Sequence, residues 1–222
     1  MPTLLWLSHP LDPAAPRPPA IPAPELSWFL TVEKDGANVQ MLRLANHTGT
    51  HLDTPRHVIS DGAAIADFPP EELIYSRPVV IDLQAEDGEI VGPEKIEPHA
   101  GALAGADLAL FRFGSEKFRM SDPGRFSTRC PGLGIPAGRW LREKFPRLRA
   151  LGMDVPSVAT IAHLDETMAV HHALLGGAGR KFIIIEEMHL AADLSGLREV
   201  RVSPWLVKGM DSGPCTILGV LD

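Results

Sequence analysis

Three histidines and an aspartate lie within one eleven-residue segment of this chain, His47-Thr-Gly-Thr-His51-Leu-Asp53-Thr-Pro-Arg-His57. The chain has nine histidines in 222 residues, so a window of this length would hold fewer than one on average. Imidazole and carboxylate groups suit Zn, Mn or Fe, and two neutral histidines with one aspartate leave positions on the ion open for water. The segment therefore predicts a catalytic metal site.

The spacing of these residues favours one shared face. All four, and Gly49 between the first two, occupy odd positions. Side chains two residues apart point to the same side of a strand, so an extended segment would bring the imidazoles and the carboxylate together, with Gly49 leaving room for an ion. Two alternatives stay open. The histidines could be satisfied by ordinary hydrogen bonds, or a histidine and an aspartate could form a proton relay without metal, which would explain two of the residues but not four.

Short elements, separated by 21 prolines and 20 glycines, must position this segment. Residues rich in Val, Ile and Phe predict strands over 3–7, 26–32, 39–45, 78–83, 108–113, 149–153, 181–188 and 199–202. Helices are predicted over 69–74, 93–102, 136–144 and 167–175. The alternation of strands and helices indicates an α/β protein. Residues 10–24 carry seven prolines and are expected to form an extended arm packed over the body.

The composition limits the class of protein. With 45% hydrophobic and 22% charged residues, the chain has the balance of a globular protein and is long enough to form a single domain over residues 1–222. A formal net charge of −7 argues against nucleic acid or an anionic membrane as the partner, since both favour a basic patch. No GxGxxG or P-loop motif is present to cradle a phosphate. A small-molecule substrate is the better expectation.

The cysteines and the first residues favour a cytoplasmic protein. Cys130 and Cys215 stand far apart and form no CxxC pair, so neither a disulfide framework nor a thiolate metal site is indicated. The short apolar run near the N-terminus follows no Lys or Arg, and no other apolar stretch approaches the roughly 20 residues that span a bilayer.

The histidine-rich segment also resembles the cyclase-like metal-dependent hydrolases, which include bacterial kynurenine formamidase and isatin hydrolase. Their motif HxGTHxDxPxH is matched in full. Weaker similarities are Ser8-His9-Pro10-Leu11, Val80-Ile81-Asp82, Gly152-Met-Asp154-Val-Pro156-Ser157, and His171-His172 followed by a strand ending Ile185-Glu186. The resemblance implies a mixed-sheet α/β domain of the swivelling β/β/α type and a homodimer or homotetramer.

The resemblance also implies roles for particular residues. In the family, the first two histidines and the aspartate of the motif bind one metal ion, the aspartate bridges to a second ion, and the last histidine is the acid/base. In this chain those residues are His47, His51, Asp53 and His57. A histidine from a later helix and a bridging glutamate from the next strand hold the second ion, which implies His171 and Glu186. The expected cofactor is one or two Zn²⁺ per chain, with Mn²⁺ as the alternative.

Each of the two later residues has a neighbour of its own type. Successive side chains on a helix diverge by about 100°, so only one of His171 and His172 can face the site. Glu186 and Glu187, on a strand, face opposite sides. We favour Glu186 because it closes the apolar run 182–185, but the sequence leaves both pairs open.

The expected reaction is hydrolysis of a small amide, formamide, lactam or lactone by metal-activated water. A divalent metal ion lowers the pKa of bound water to about 7 and polarises the substrate oxygen. His57 would take the proton and pass it to the leaving amine, since the pKa of a histidine, ordinarily near 6.5, suits that task. The alternative is a metal-containing protein that binds a small molecule without turnover. The presence of His57 argues against it, because such a protein would not need an acid/base residue.

The Pro-rich arm bears on the substrate. Kynurenine formamidases resemble one another in a Pro-x-Trp-Pro element near the N-terminus, whose tryptophan contacts the aryl ring. Here Pro16-Arg17-Pro18-Pro19 stands in that neighbourhood, and no tryptophan lies between Trp6 and Trp28. We therefore expect aryl formamides to fit poorly, and the sequence identifies no substrate-binding residue.

Overall fold

The computed structural model of the chain describes residues 2–177 and 180–222. The strands are β1 (Thr3–Trp6), β2 (Glu25–Leu30), β3 (Val39–Arg43), β4 (His51–Asp53), β5 (Ile74–Tyr75), β6 (Pro78–Asp82), β7 (Ile90–Val91), β8 (Leu108–Arg112), β9 (Gly132–Leu133), β10 (Ala150–Met153), β11 (Ile183–Glu186), β12 (Leu197–Pro204) and β13 (Ser212–Leu221). The helices are α1 (Val32–Asp35), α2 (Pro93–Ile96), α3 (Ala100–Leu103), α4 (Phe118–Ser121), α5 (Pro123–Arg129), α6 (Ile135–Lys144) and α7 (Leu164–Leu175). Single 3₁₀ turns cover Pro55–His57, Ile65–Asp67, Pro70–Leu73, Glu97–His99, Ser115–Lys117 and Ile161–His163.

A mixed sheet of nine strands forms the centre of the molecule. Its order is β5-β12-β13-β4-β11-β10-β8-β6, and β1 pairs with β13. The strands β6, β8, β10 and β11 run parallel to their neighbours in that group, whereas β4 is antiparallel to both β11 and β13. The α/β class that the alternation of elements predicts is confirmed, and so is the mixed sheet that the family resemblance implies. The two-stranded sheets β2-β3 and β7-β9 lie outside it.

The parallel strands are mostly apolar because both faces of the sheet are covered, and β6, β8 and β11 carry a charged residue only at their last position. Along β8, Ala109 and Phe111 face a core that includes residues of α6 and α7, such as Leu141 and Leu174. Leu108 and Leu110 face the opposite core, formed with residues of β12 and β13. Alternate residues of one strand therefore hold both layers of the fold together.

The predicted strands all occur, with ends shifted by a few residues, and the helix predictions are less accurate. The predicted helix 136–144 is found as α6, and 167–175 begins three residues earlier as α7. The helix predicted over 69–74 is wrong, since a 3₁₀ turn and β5 lie there. The helix predicted over 93–102 is divided into α2, a 3₁₀ turn and α3, because Pro98 has no N–H for a continuous helix.

Two segments outside the main sheet flank the core, the largely exposed β2-β3 hairpin and the partly buried Pro-rich arm. Most of the hairpin of β2 and β3 is exposed on both faces, including the large side chains of Trp28, Phe29 and Met41. The Pro-rich residues 10–24 contain no helix or strand, and Leu11 of this segment lies against the position that a side chain on Gly49 would occupy. Within the described residues, every helix is too short or too polar to cross a membrane.

Candidate metal centre

The pairing of β4 and β11 assembles the core of the predicted site. Glu186 is the direct partner of His51, and Ile184 is the partner of Asp53. Directly opposite residues on paired strands share a face, so His51, Asp53 and Glu186 project from the same side of the sheet. Leu52, between the two ligand candidates, points to the opposite side and enters the hydrophobic core there. The three polar side chains are buried.

The histidine-rich segment reaches this face by a different path from the predicted one. Only His51–Asp53 is a strand, so the expectation of one extended segment is wrong on either side of it. His57 ends a 3₁₀ turn, and His47 lies in the preceding loop. Nevertheless the rings converge, because the centroid of His47 lies 5.1 Å from that of His51 and 4.4 Å from that of His57.

Gly49 acts through its backbone and not through the space that the sequence suggested. Its φ of +64° lies in the left-handed region that favours glycine. Its carbonyl oxygen lies 2.8 Å from Nδ1 of His51. A carbonyl can only accept, so Nδ1 donates, and Nε2 of His51 is left free to face Asp53 and Glu186.

Helix α7 supplies the later histidine. His171 is buried and His172 is exposed, as the 100° rotation between neighbours on a helix requires. The carbonyl oxygen of Thr167 lies 2.7 Å from Nδ1 of His171 and orients that ring as Gly49 orients His51. Nε2 of His171 then lies 3.7 Å from Oδ2 of Asp53 and 3.4 Å from Oε1 of Glu186.

The two neighbouring glutamates point in different directions, although Glu187 lies just past the end of β11 and not on the strand as predicted. Oε2 of Glu186 lies 3.2 Å from Nε2 of His51, and Oε1 accepts a hydrogen bond of 2.6 Å from the backbone N–H of Val158. Glu187 has a left-handed φ of 54° and turns away, and its carboxylate accepts a hydrogen bond of 2.9 Å from Nε of Arg119. Of the two, Glu186 is the one that lies in the cluster.

Asp53 is the centre of the cluster. Its Oδ1 lies 3.1 Å from Nδ1 of His47 and 3.7 Å from Nε2 of His51, and its Oδ2 faces His171. Yet in the described residues neither carboxylate oxygen, nor Nε2 of His51, has a partner with hydrogen-bond geometry. Buried polar atoms left in this state are costly unless something else satisfies them. Convergent imidazole and carboxylate atoms fit a divalent cation in that role.

Asp211 joins the site without having been predicted. Its Oδ2 lies 3.2 Å from Nδ1 of His57 and 3.7 Å from Nε2 of His47. The backbone and hydroxyl of Thr54 both donate to the carbonyl oxygen of Asp211, at 3.0 and 2.6 Å, and fix its position beside the motif. Asp211 immediately precedes β13, so the pairing of β13 with β4 brings it there.

The titration of the cluster reflects its mixed charges. Burial alone lowers the pKa of His51 and of His171, but the carboxylates of Glu186 and Asp53 outweigh burial and raise both pKa values to about 9. Burial opposes the ionised form of Asp53, yet the neighbouring histidines lower the pKa of its carboxyl group. The site therefore favours carboxylates balanced by positive charge, supplied by protons or by a metal ion.

Among the described residues of this cluster, three sets have ligand atoms within 4.8 Å of one another. They are His47 with His51 and Asp53, Asp53 with His57 and His171, and His47 with His57 and Asp211. The first matches the set predicted from the motif. His57 takes part in the other two, so its position is compatible with a ligand as well as with an acid/base. Among the described residues, Glu186 contacts two of the histidines but completes no such group.

The chain is similar to proteins of known family. The model of the putative cyclase family matches residues 5–160. The kynurenine formamidase of Bacillus mycoides is 30% identical over 191 residues, which cover 86% of this chain and 83% of the relative. Isatin hydrolase A from Ralstonia solanacearum has a TM-score of 0.80 at 18% identity, over 100% of this chain and 92% of that one. Isatin hydrolase A from Labrenzia aggregata has a TM-score of 0.80 at 24% identity, over 99% and 94%.

Proposed function

Because this chain belongs to the putative cyclase family, we propose that it hydrolyses a small amide, formamide, lactam or lactone with the help of a bound metal ion. The family, the formamidase relatives and the isatin hydrolase fold all agree with a metal-dependent hydrolase acting on C–N bonds other than peptide bonds. The observation that carries the proposal is the buried Asp53 carboxylate. It faces three imidazoles, and none of the described residues gives it a hydrogen bond.

The proposed metal ligands are those that the family resemblance implies. His47, His51 and Asp53 would bind one ion, a set whose ligand atoms lie close together. Asp53, His171 and Glu186 would bind a second, supported by the contacts of His171 with both carboxylates. Nitrogen and oxygen ligands of this kind suit Zn²⁺, with Mn²⁺ as the alternative. The bound ion supplies Lewis acidity, which makes water a competent nucleophile at neutral pH and polarises the carbonyl of the substrate.

His57 would move the protons of the reaction. Asp211 holds Nδ1 of His57, so Nε2 can take a proton from the attacking water as its oxygen adds to the carbonyl carbon. The same proton would then pass to the nitrogen of the breaking C–N bond, so that the amine leaves neutral. Burial lowers the pKa of His57 from its ordinary value and keeps the ring neutral, and therefore basic, before the reaction.

The Pro-rich arm at residues 10–24 bears on which substrate the site prefers. Leu11 reaches the loop of Gly49, so this segment lies beside the candidate site, but it contains no tryptophan to stack on an aryl ring. A contact of that kind is worth about 1 to 3 kcal/mol in discrimination between substrates. We therefore propose that N-formylkynurenine is a poorer substrate than a cyclic imide, lactam or lactone.

Steady-state kinetics on N-formylkynurenine, a cyclic imide, a lactone and an aryl ester would test the proposal. We expect metal-dependent turnover, with kcat/KM for the formyl substrate roughly 10- to 200-fold below that of the best compound. A formyl substrate that is turned over best would contradict the substrate proposal alone. Tight binding of these compounds without any turnover would instead identify a binding protein.

Metal analysis of the purified protein would test the cofactor separately. We expect at least one Zn or Mn per chain, and a content that approaches two if His171 and Glu186 are ligands. His51→Ala should lose the metal bound at Asp53, whereas His163→Ala, which changes an exposed histidine, should keep it. A protein that takes up no transition metal on reconstitution would overturn the centre.

We also propose that the protein is a cytoplasmic homodimer or homotetramer. The exposed aromatic side chains of the β2-β3 hairpin support self-association, and two buried free cysteines suit a reducing compartment. Sedimentation equilibrium should detect the oligomer. Phe29→Ser on the hairpin should shift it toward monomer, whereas Leu164→Ser, an equally exposed residue elsewhere, should not.

A further inference from the structure

A second group of metal-ligating side chains lies past the end of the β4-β11 pair. His9 follows β1, Glu116 lies in the 3₁₀ turn Ser115–Lys117, and His189 follows β11. One ligand atom from each lies within 4.8 Å of the other two. None of them belongs to the histidine-rich segment or to the cluster around Asp53, and in the sequence the two histidines are isolated.

Glu116 organises this second cluster. Its Oε2 accepts a hydrogen bond of 2.9 Å from the backbone N–H of Leu190, which holds the carboxylate and turns Oε1 toward both imidazoles. Oε1 lies 3.6 Å from Nε2 of His9 and is in contact with Nδ1 of His189. Ligand atoms around a tetrahedral zinc ion, each bonded at about 2.0–2.2 Å, are separated by roughly 3.4 Å. The spacing of His9 and Glu116 therefore suits a shared ion.

The backbone holds both histidines in place. The N–H of His9 donates to Oγ1 of Thr50 at 2.9 Å, and the N–H of His189 donates to the carbonyl oxygen of Leu7 at 3.0 Å. A β-bridge between Ser8 and Met188 joins the same two segments. Because the chain on either side is fixed, only small side-chain movements are needed to admit an ion.

The surroundings permit a cation. The guanidinium group of Arg119 is paired with the carboxylate of Glu187. The His189 side chain is 40% exposed and borders, with His9, a cavity of about 560 Å³. Three protein ligands would leave one position of the ion facing that cavity.

We propose that His9, Glu116 and His189 bind a divalent transition-metal ion, zinc by the chemistry of its ligands, independently of the centre at Asp53. The ion would be connected with the first centre through Thr50, which accepts from His9 and donates to the carbonyl oxygen of Glu187 at 2.5 Å. Thr50 precedes His51 and Glu187 follows Glu186, so an ion here would stabilise the strand ends that carry two residues of the first centre.

Crystals of the full chain grown with ZnCl₂ and measured at the zinc absorption edge would test the site. We expect an anomalous peak at about 2.0–2.2 Å from Nε2 of His9, Oε1 of Glu116 and Nδ1 of His189, apart from any peak at Asp53. Peaks at Asp53 alone, or none, would overturn the proposal.

Zinc titration of variants tests the same site in solution. His189→Ala removes one ligand, and Glu116→Gln keeps an amide oxygen to accept from Leu190. Each should bind one zinc ion fewer per chain than the unchanged protein, whereas His163→Ala, at an exposed histidine, should bind the same number. Equal stoichiometry in all four proteins would contradict the proposal, and the anomalous map of the unchanged protein decides the matter if a variant does not fold.

Discussion

Oδ2 of Asp211 lies 3.2 Å from Nδ1 of His57, although 154 positions separate the two residues in the chain. A carboxylate can only accept a hydrogen bond, so Nδ1 carries the proton of the neutral ring and Nε2 keeps a lone pair. Asn46 donates to the other oxygen of Asp211 at 2.9 Å and holds the carboxylate in place. The pair therefore fixes both the tautomer and the orientation of the proposed base.

Asp211→Asn should weaken the hydrogen bond that orients His57 but leave the His57 imidazole in place as the proposed base. We expect kcat to fall about 10- to 100-fold with little change in KM. Asp211 also raises the pKa of His57 against the lowering by burial, so its loss should move the acid limb of the pH–rate profile to lower pH. Kinetics across pH would check both effects, with Asp61→Asn, an exposed carboxylate on the loop after His57, as the control. An unchanged limb would contradict the assigned role.

His57→Ala distinguishes an acid/base from a ligand. If His57 transfers protons, the variant should keep most of its metal while kcat falls by roughly 10²-fold or more. Metal content and kcat can be measured on one preparation. Parallel loss of metal and rate would make His57 a ligand, as its place in two of the ligand groups also allows.

His171→Ala and His172→Ala form a matched pair on α7. The first removes a buried imidazole that faces Asp53 and Glu186, and the second removes an exposed one. We expect His171→Ala to lower the metal content per chain and the rate, and His172→Ala to change neither. Plasma emission spectrometry beside kinetics would compare them, and metal loss in His172→Ala alone would reverse the assignment.

Arg119→Met should destabilise the fold. It leaves the buried carboxylate of Glu187 without its partner, which costs about 3 to 5 kcal/mol in comparable sites. Adding Glu187→Gln should restore most of that loss, because the unpaired charge is removed. Urea unfolding of metal-free protein would measure both changes. Arg125→Met breaks an exposed ion pair with Asp87 and should cost much less.

The sequence predicts the ligand types better than the route by which they meet. The motif identifies His47, His51, Asp53 and His57, and all four lie in one cluster. The expectation of a single strand was wrong because Pro55 starts a 3₁₀ turn and Gly49 adopts a left-handed φ. The two-residue spacing of the motif does not indicate either feature. The rings converge through a loop and a turn on either side of a three-residue strand.

Asp211 could not be predicted from the sequence, for a physical reason. It is placed by the pairing of β13 with β4, and β13 itself was not predicted, since Gly213, Pro214 and Gly219 interrupt any strand-like pattern. By contrast, the strand that ends at Glu186 and the helix that carries His171 could be predicted from the local sequence alone. What the sequence lacks is the register between distant strands.

The separation of β13 from its partner strands along the chain has a consequence for folding. Both β1 and β4 pair with β13, so the first strand and the motif strand leave the ribosome before their common neighbour exists. Pairings this distant along the chain form slowly, because a long loop must close first. A nascent chain would thus expose unpaired strand edges until β13 has been synthesised. The candidate metal centre is completed only when β13 pairs with β4 and brings Asp211 beside the motif.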